Sequence, residues 1–249
     1  MSEAEATPIE GGRVARNRRR RSEAFLSAGL RIVTEEGVDA LTMSRLANEL
    51  DTAVGSVYRY YASKDELVAA IQANAIDKLH RSHDRSVEPV AAAVAEQLGD
   101  PGEPPELVRL VALGRWFCAA AEAYPEEIRL LNMVSARRTS AMLPETAAGL
   151  LPPTMALVAA VAATIGAATE ADQLRPGNAL ARAILWLTAF GGVFVADDLA
   201  QHVPDVLGGG RLVRQLNTDL MVGWGADPDA VARIDTAIDA LPGSPPLVR

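Results

Sequence analysis

Apolar residues recur along the chain at the three- and four-residue spacing of helices, without the strict alternation that predicts a strand. The first such pattern lies at residues 25–33 and predicts a helix over 18–36, which Gly37 ends. Beyond residue 100, proline and glycine separate further stretches of the same kind. They predict helices at about 105–123, 126–138, 153–167, 177–200, 210–224 and 227–240. The pattern as a whole predicts an all-α fold.

Between these regions, residues 41–64 contain two short apolar patterns close together. Thr42 is a candidate N-cap for a helix ending near Leu50, and a three-residue turn leads to a second helix at about 54–60. Ser63 and Glu66 have the spacing of a capping box, which predicts a longer helix reaching His80 or beyond. Two short helices joined by a three-residue turn indicate a helix-turn-helix, whose second helix enters the major groove of DNA.

Composition sets limits on other functions. The chain has 249 residues and is 49% apolar, which is enough for one large or two modest domains, whereas 4% aromatics disfavours base stacking as a binding mode. Cys118 is a single cysteine, so no intrachain disulfide or cysteine-based metal site is expected. His80 and His83 lack further ligands and are interpreted as a surface pair, so we expect neither metal nor cofactor. Without a signal peptide or an apolar run of about 18 residues, a soluble cytoplasmic protein is expected.

The net charge of −8 is distributed unevenly. Residues 13–64 carry a net charge of +4, including a run of arginines up to Arg21, whereas residues 65–249 carry −9. A basic module joined to an acidic body is typical of a protein that contacts phosphate at one end. The arginine run is either an arm that enters a minor groove or a disordered tether that binds phosphates without sequence preference.

We accordingly predict four regions. They are a disordered basic arm (1–17), a helix-turn-helix DNA-binding domain (18–64), a helical effector-binding and dimerisation domain (65–241) and a tail (242–249).

A wider motif surrounds the helix-turn-helix. Its elements are Glu35-Glu36-Gly37, Leu41-Thr42, Leu46-Ala47, Gly55-Ser56-Val57-Tyr58-Arg59-Tyr60-Tyr61 and Ser63-Lys64-Asp65-Glu66-Leu67. In order and spacing, over about 50 residues, this motif resembles the amino-terminal domain of the TetR/AcrR family. The turn departs from the family's Gly-Val-Ser and reads Asp51-Thr52-Ala53. Asp51 is expected to adopt the left-handed conformation at some cost, Ala53 cannot cap the next helix, and Thr52 is a candidate substitute cap.

The resemblance implies roles for matching residues. Thr42 and Lys64 would bind phosphates, while Tyr58 and Tyr60 would contact bases or backbone. Base-facing positions on the two short helices would be Ser44, Val54, Gly55 and Ser56, and Arg59 also lies on the predicted exposed face of the second helix. The alternative for the tyrosines, and for Tyr61 above all, is that they pack the second helix onto its neighbours.

The family resemblance further implies that the carboxy-terminal helices hold a ligand cavity and a dimer interface. The candidate ligand-binding residues are Trp116, Phe117, Trp186 and Phe190, with core or dimer-seam packing as the alternative. The helices at 177–200 and 210–224 are predicted to form a bundle between subunits. Because few charges lie near these aromatics, an apolar or aromatic effector is expected.

The function predicted from the sequence is a sequence-specific transcription regulator. We expect a homodimeric repressor that binds double-stranded operator DNA and that a small, largely apolar effector releases from it. The residues form no catalytic constellation, so an enzyme is not expected. The alternative is a helical protein-binding module without a DNA function.

Overall fold

A computed structural model describes the backbone of residues 9–99, 102–136, 144–195 and 211–242. Within that backbone it describes the side chains of residues 13–99, 102–130, 154–193 and 211–242. The described chain is helical throughout and contains no strand, which confirms the predicted all-α fold. No helix within these ranges is long and apolar enough to cross a membrane.

Ten α-helices account for most of the described backbone. They are α1 (Ile9–Glu36), α2 (Met43–Glu49), α3 (Val54–Tyr58), α4 (Lys64–Leu98), α5 (Pro105–Ala123), α6 (Pro125–Ala136), α7 (Pro144–Glu170), α8 (Ala179–Val195), α9 (Arg211–Gly223) and α10 (Pro228–Ala240). A short 3₁₀ turn, Val38–Ala40, connects α1 to α2. Gly37 precedes it with a φ of 90°, a conformation that favours glycine and explains why α1 ends there.

Two helices differ substantially from the sequence prediction. Residues 9–17 were predicted to be a disordered arm, but α1 begins at Ile9 and includes them. Arginine is a good helix former, and extending a helix already held by its packed part costs little. The helix predicted at 153–167 is α7, which runs through the expected break at Pro152 and Pro153. Packing of α7 against α4 and α8 offsets the cost of proline inside a helix.

The buried apolar residues form two clusters that meet on α4. The smaller cluster joins the inner faces of α1 to α3 to the first part of α4, ending at Ala75. The larger one begins at Ile76 and joins the rest of α4 to α5, α7, α8, α9 and α10. Close packing of α1 on α4 requires Gly29, where a Cβ atom would lie 2.6 Å from the Ile71 side chain. A continuous helix of 35 residues, roughly 50 Å long, therefore connects the two clusters.

Polar contacts inside the larger cluster fix the packing of α5, α8 and α9. Asn217, 4% exposed, accepts a hydrogen bond from Trp186 Nε1 at 2.8 Å and donates one to the Gly114 carbonyl at 2.7 Å. Buried Arg115 bonds to the Asp235 and Asp239 carboxylates of α10. Burial alone would lower the Arg115 pKa, but these carboxylates raise it, so the guanidinium stays charged. These side chains serve as internal connections between helices.

Candidate nucleic-acid interface

The first short helix of the helix-turn-helix, α2, starts at a capped position. Thr42 Oγ1 accepts a hydrogen bond from the Arg45 backbone N–H at 3.0 Å, as expected of an N-cap. The hydroxyl hydrogen of Thr42 remains available, and the residue is exposed. Ser44 lies exposed on the first turn of α2, next to it. This end of α2 thus presents two hydroxyls and the positive end of a helix dipole to the solvent.

The turn between α2 and α3 has the unusual backbone that its sequence requires. Asp51 has a φ of 47°, in the left-handed region, as the sequence predicted. Ala53 precedes α3 without a side-chain cap. The prediction that Thr52 substitutes as a cap is wrong, because Thr52 Oγ1 instead accepts a hydrogen bond from Arg21 Nη2 at 2.6 Å. The hydrogen bond from Arg21 of α1 therefore stabilises the turn, which has no capping side chain.

The short helix α3 exposes most of its outer face. Tyr58 is 53% exposed, and both Gly55 and Arg59 are exposed. Ser56 is half-buried and accepts a hydrogen bond from Arg59 Nη2 at 3.2 Å. A Cβ atom at Gly55 would meet nothing within 4 Å, so the outer surface of the helix is open at this point. Val57 on the opposite face is fully buried and attaches α3 to the core.

The other tyrosines and Val54 are more enclosed than Tyr58. Tyr61 is 6% exposed, its hydroxyl lies 2.9 Å from Ser22 Oγ, and burial raises its pKa, as the packing alternative expects. Tyr60 is half-buried, and its ring meets Phe25 edge-on at 5.3 Å. Val54 is half-buried against the same core cluster. Only parts of Tyr60 and Val54 thus reach the surface.

The capping box at the start of α4 forms as predicted, with one change. Ser63 Oγ accepts from the Glu66 N–H at 3.1 Å, and Glu66 accepts from the N–H of Ala62 at 2.7 Å. The reciprocal bond therefore goes to the residue before the cap. Lys64 at the first position of α4 is half-buried, and its ammonium donates weakly to the Asp39 carbonyl at 3.4 Å. This placement holds the Lys64 ammonium close to the amino end of α2.

Not every arginine of the basic module is available to a phosphate. Arg45 pairs with Glu36 at 2.9 Å and with Glu49 at 2.5 Å, and Arg31 also bonds to Glu49. Hydrogen bonds from Arg45 and Arg31 hold the pKa of Glu49 below its usual value, so this carboxylate is charged. These pairs connect α1 to α2 and neutralise their own charge. Arg59, by contrast, bonds only to a serine hydroxyl among the described contacts.

The four candidate ligand-binding aromatics lie together in the larger core cluster. Trp116, Phe117, Trp186 and Phe190 are each 4% exposed or less. The rings of Phe117 and Phe190 stack at 4.5 Å, and Phe117 contacts Trp186 at 5.8 Å. Trp116 packs on Phe117 at 4.8 Å and donates to Ser82 Oγ at 3.1 Å. The structure thus brings together the four aromatic residues that the sequence analysis named as ligand-binding candidates.

Sequence reasoning missed a polar stripe on α4 beside these rings. His83 contacts Trp116 edge-on at 5.4 Å and is 9% exposed, so the interpretation of His80 and His83 as a surface pair is wrong for His83. Its Nδ1 lies 3.0 Å from the Asp84 carboxylate. His83 Nε2 and Ser86 Oγ are buried without a hydrogen-bond partner. The sequence did contain a signal for this stripe. Leu79, His83 and Ser86 are spaced four and three residues apart, which places them on one face of the helix.

A second feature the sequence did not reveal is the junction of α4 with α6. Leu130 of α6 is 1% exposed and belongs to the amino-terminal core cluster, although the rest of that cluster comes from residues 25–75. Lys78 pairs with buried Glu127 at 2.5 Å and lies 4.7 Å from the ring of Tyr124. The body of the protein therefore contacts the amino-terminal domain through α6, which packs on α1, in addition to α4.

Metal binding and nucleophilic chemistry by cysteine find little support in the described part of the chain. No group of three or more histidine, cysteine, aspartate and glutamate residues is placed there to hold a metal ion. Burial raises the pKa of the Cys118 thiol to about 11, so this sulfur stays protonated near neutral pH and is a poor nucleophile.

The helical fold and the exposed helix α3 place this chain in the class of all-helical proteins with an amino-terminal helix-turn-helix. Residues 25–71 match the family model described as "Bacterial regulatory proteins, tetR family". This match confirms that the amino-terminal segment resembles the TetR/AcrR family.

Two curated relatives that match part of the chain are transcriptional repressors. The chain is 33% identical over 76 residues to the HTH-type transcriptional repressor KstR of Mycolicibacterium smegmatis, a match covering 30% of this chain and 36% of that protein. The match to KstR of Mycobacterium tuberculosis is also 33% identical over 76 residues and covers 33% of that protein. The chain thus matches about a third of the length of these relatives.

Solved structures extend the similarity of fold to most of the chain. The fatty acid degradation regulator FadR of Bacillus halodurans has a TM-score of 0.59 at 14% identity, covering 81% of this chain and 98% of that one. AibR, solved in complex with isovaleryl coenzyme A and operator DNA, has a TM-score of 0.53 at 15% identity, covering 78% of this chain and 94% of that one. At these identities the likeness concerns the fold.

Proposed function

We propose that this protein is a transcription regulator that binds operator DNA through α3 and releases it when a small molecule binds the helical body. The observation that carries the proposal is the open outer face of α3, where Gly55, Tyr58 and Arg59 are exposed at the end of a tetR-family motif. A helix of this kind fits the major groove and reads base edges there. Thr42 and Lys64 flank it as proposed phosphate ligands, and Ser44, Val54, Ser56 and Tyr60 complete the proposed surface.

We further propose that the DNA-bound form is a homodimer, because one short helix reads too few bases for specificity. Two copies would enter successive major grooves about 34–36 Å apart on a near-palindromic site. The described surface supports a dimer interface formed by α7 and α8, which pack together. Four large apolar residues there are 40–53% exposed, namely Met155, Leu180, Ile184 and Leu185.

This choice of helices differs from the bundle of residues 177–200 with 210–224 that the sequence predicted. The exposed residues of α9 are polar or charged and include Arg214, Gln215 and Asp219. A polar face of this kind suits solvent better than a dimer seam. The domain boundary is proposed within α4, near the meeting of the two core clusters at residues 75 and 76 rather than at residue 64.

Selection of bound duplexes from random-sequence DNA tests the function. We expect the full-length protein to select a near-palindrome and to bind it as a dimer. Lys64→Ala is expected to weaken binding to the selected and to random duplexes alike and to lower the salt slope of affinity by about one for each subunit, which is about two for the dimer. Ser56→Ala is expected to change the preferred bases more than the overall affinity, because Ser56 is assigned to a base edge and Lys64 to a phosphate.

Failure to select any sequence would remove the DNA function and leave the protein-binding module as the surviving candidate. Equal effects of Lys64→Ala and Ser56→Ala on selected and random duplexes would mean that the recognition face is misassigned. Gel shift with both duplexes over a salt series measures each quantity. Gln215→Ala on the distant α9 is the matched surface control.

The effector is proposed to bind between α4 and α5, against Trp116 and the polar stripe of His83 and Ser86. Leaving a buried polar atom without a partner costs about 1–3 kcal/mol. Two such atoms belong to this stripe on α4, one of them on His83 in contact with Trp116, and they favour a ligand that supplies hydrogen bonds there. The ligand would be largely apolar with one or two polar groups. Phe117, Trp186 and Phe190 lie further along the same ring cluster and would form its apolar end. AibR, which shares the fold, was solved with both an acyl coenzyme A and operator DNA.

Effector and operator are expected to weaken each other's binding by the same factor, about 5- to 150-fold, because linkage is reciprocal. The α4–α6 junction, where Leu130 enters the DNA-domain core, is the proposed connection. An effector found by screening for release of the selected duplex would be titrated by tryptophan fluorescence, with and without that duplex. Ser86→Ala is expected to lower effector affinity by up to about tenfold and to leave DNA affinity unchanged. Equal effector affinity of free and DNA-bound protein would contradict this coupling.

A further inference from the structure

The first part of α1 carries a basic surface that the helix-turn-helix does not use. Six arginines stand between residues 13 and 21 with no acidic residue among them, and the side chains of residues 13–20 are all exposed. Arg19 pairs with Glu23 at 3.0 Å. No ion pair involves Arg13, Arg16 or Arg20 among the described residues. We call these three the arginine face, because their spacing places them within about 60° of one another around the helix.

The base of this extension is attached to both ends of α3. Arg21 donates to Thr52 Oγ1 in the turn before α3, at 2.6 Å. The Arg18 guanidinium lies 5.9 Å from the centre of the Tyr60 ring, which follows α3. Since α1 is a continuous helix from Ile9 to Glu36, these contacts fix the direction in which its first turns leave the domain. The arginine face therefore has a set position relative to α3, beginning next to it and extending about 12 Å towards Arg13.

We propose that the arginine face binds the sugar-phosphate backbone of duplex DNA just outside each operator half-site. The inference rests on the proposed DNA function and adds a contact beyond the helix-turn-helix. Three unpaired guanidinium groups on one helical face complement phosphates, which arginine binds with paired hydrogen bonds. An α-helix with side chains is about 10 Å wide and the minor groove about 6 Å, so the helix lies across the backbone and does not enter that groove.

Salt dependence of binding tests the arginine face. The full-length protein and the triple variant Arg13→Ala, Arg16→Ala, Arg20→Ala would be titrated with the selected site carrying flanks of about one helical turn on each side. Each subunit of the dimer loses three phosphate contacts, so six lost contacts are expected to reduce the slope of log affinity against log salt by about 5.4. Between 50 and 200 mM salt, the unmodified protein should then lose about 1,800-fold more affinity than the variant.

Two control variants separate a local contact from net charge and folding. Lysine at the same three positions keeps the charge and is expected to keep the salt slope. Removing three exposed arginines from the body leaves the same net charge as the alanine variant but is expected to leave the slope unchanged. That body control combines Arg81→Ala, Arg85→Ala and Arg233→Ala.

Two further experiments vary the length and the sequence of the DNA flanks. Trimming the flanks is expected to abolish the difference between the unmodified protein and the alanine variant, and A·T-rich and G·C-rich flanks are expected to bind equally well. The proposal is overturned if the alanine variant changes the salt slope by less than about one, or if its difference from the unmodified protein survives trimming of the flanks. It is also overturned if the protein prefers A·T-rich flanks, which would indicate insertion into the minor groove. Failure of all variants to bind the selected site would instead refute the DNA function itself.

Discussion

Replacing Ile184 with arginine is expected to separate the dimer and to weaken binding to the selected operator by about 10²- to 10⁴-fold. Ile184 is 49% exposed on α8, beside Leu180 and Leu185, and arginine at the centre of an apolar seam would have to be buried without a partner. A single subunit holds one half-site only, so the gain from simultaneous binding to both half-sites is lost. Sedimentation with and without DNA gives the oligomeric state, and gel shift gives the affinity.

Gln215→Arg is the matched control, because it introduces the same side chain on the exposed face of α9. This variant is expected to remain dimeric and to bind the operator as the unmodified protein does. Loss of the dimer by Gln215→Arg together with an intact Ile184→Arg dimer would assign the interface to α9. It would thereby restore the pairing of residues 177–200 with 210–224 that the sequence predicted.

Asn217→Ala is expected to destabilise the protein by about 2–4 kcal/mol, because it leaves the indole N–H of Trp186 buried without an acceptor and removes the bond to Gly114. For a chain of this size, the melting temperature should fall by about 5–15 °C. Trp186 is fully buried, so water cannot replace the lost acceptor without opening the core. Denaturant unfolding followed by tryptophan fluorescence measures the change.

A double-mutant cycle with Trp186→Phe separates the hydrogen bond from the lost volume. If the bond matters, the two changes together should cost about 1 kcal/mol less than the sum of their separate effects. Gln215→Ala, two residues away and exposed, should change stability by no more than about 0.5 kcal/mol. A loss below about 0.5 kcal/mol for Asn217→Ala would mean that the buried amide contributes little.

Local chemistry explains which parts of the fold the sequence predicted well. Capping residues and breakers act on their immediate neighbours, so Thr42, Ser63 and Gly37 fixed helix boundaries that the structure confirms within one or two residues. Asp51 likewise takes the left-handed backbone expected for a turn that lacks glycine. Helical periodicity also identified Phe25 and Leu46 as core residues, both of which are fully buried.

Local signals failed where distant contacts decide the outcome. Thr52 has the side chain of a cap, but Arg21, 31 residues away, competes for its hydroxyl. Pro152 and Pro153 predict a break, yet α7 continues through them while packing on α4 and α8. His83 was assigned to the surface because no further metal ligands accompany it in the sequence, whereas Trp116 of another helix covers it. In each case the deciding partner lies far along the chain.

The all-helical class, the helix-turn-helix motif and the uneven charge could be predicted from residue types at short spacing. The pairing of the arginines, the open face of α8 and the contact of α6 with the DNA-domain core through Leu130 became visible in the folded chain. These features depend on how helices pack side by side. Many combinations of helix faces are compatible with one apolar pattern, and the packing of whole side chains selects among them.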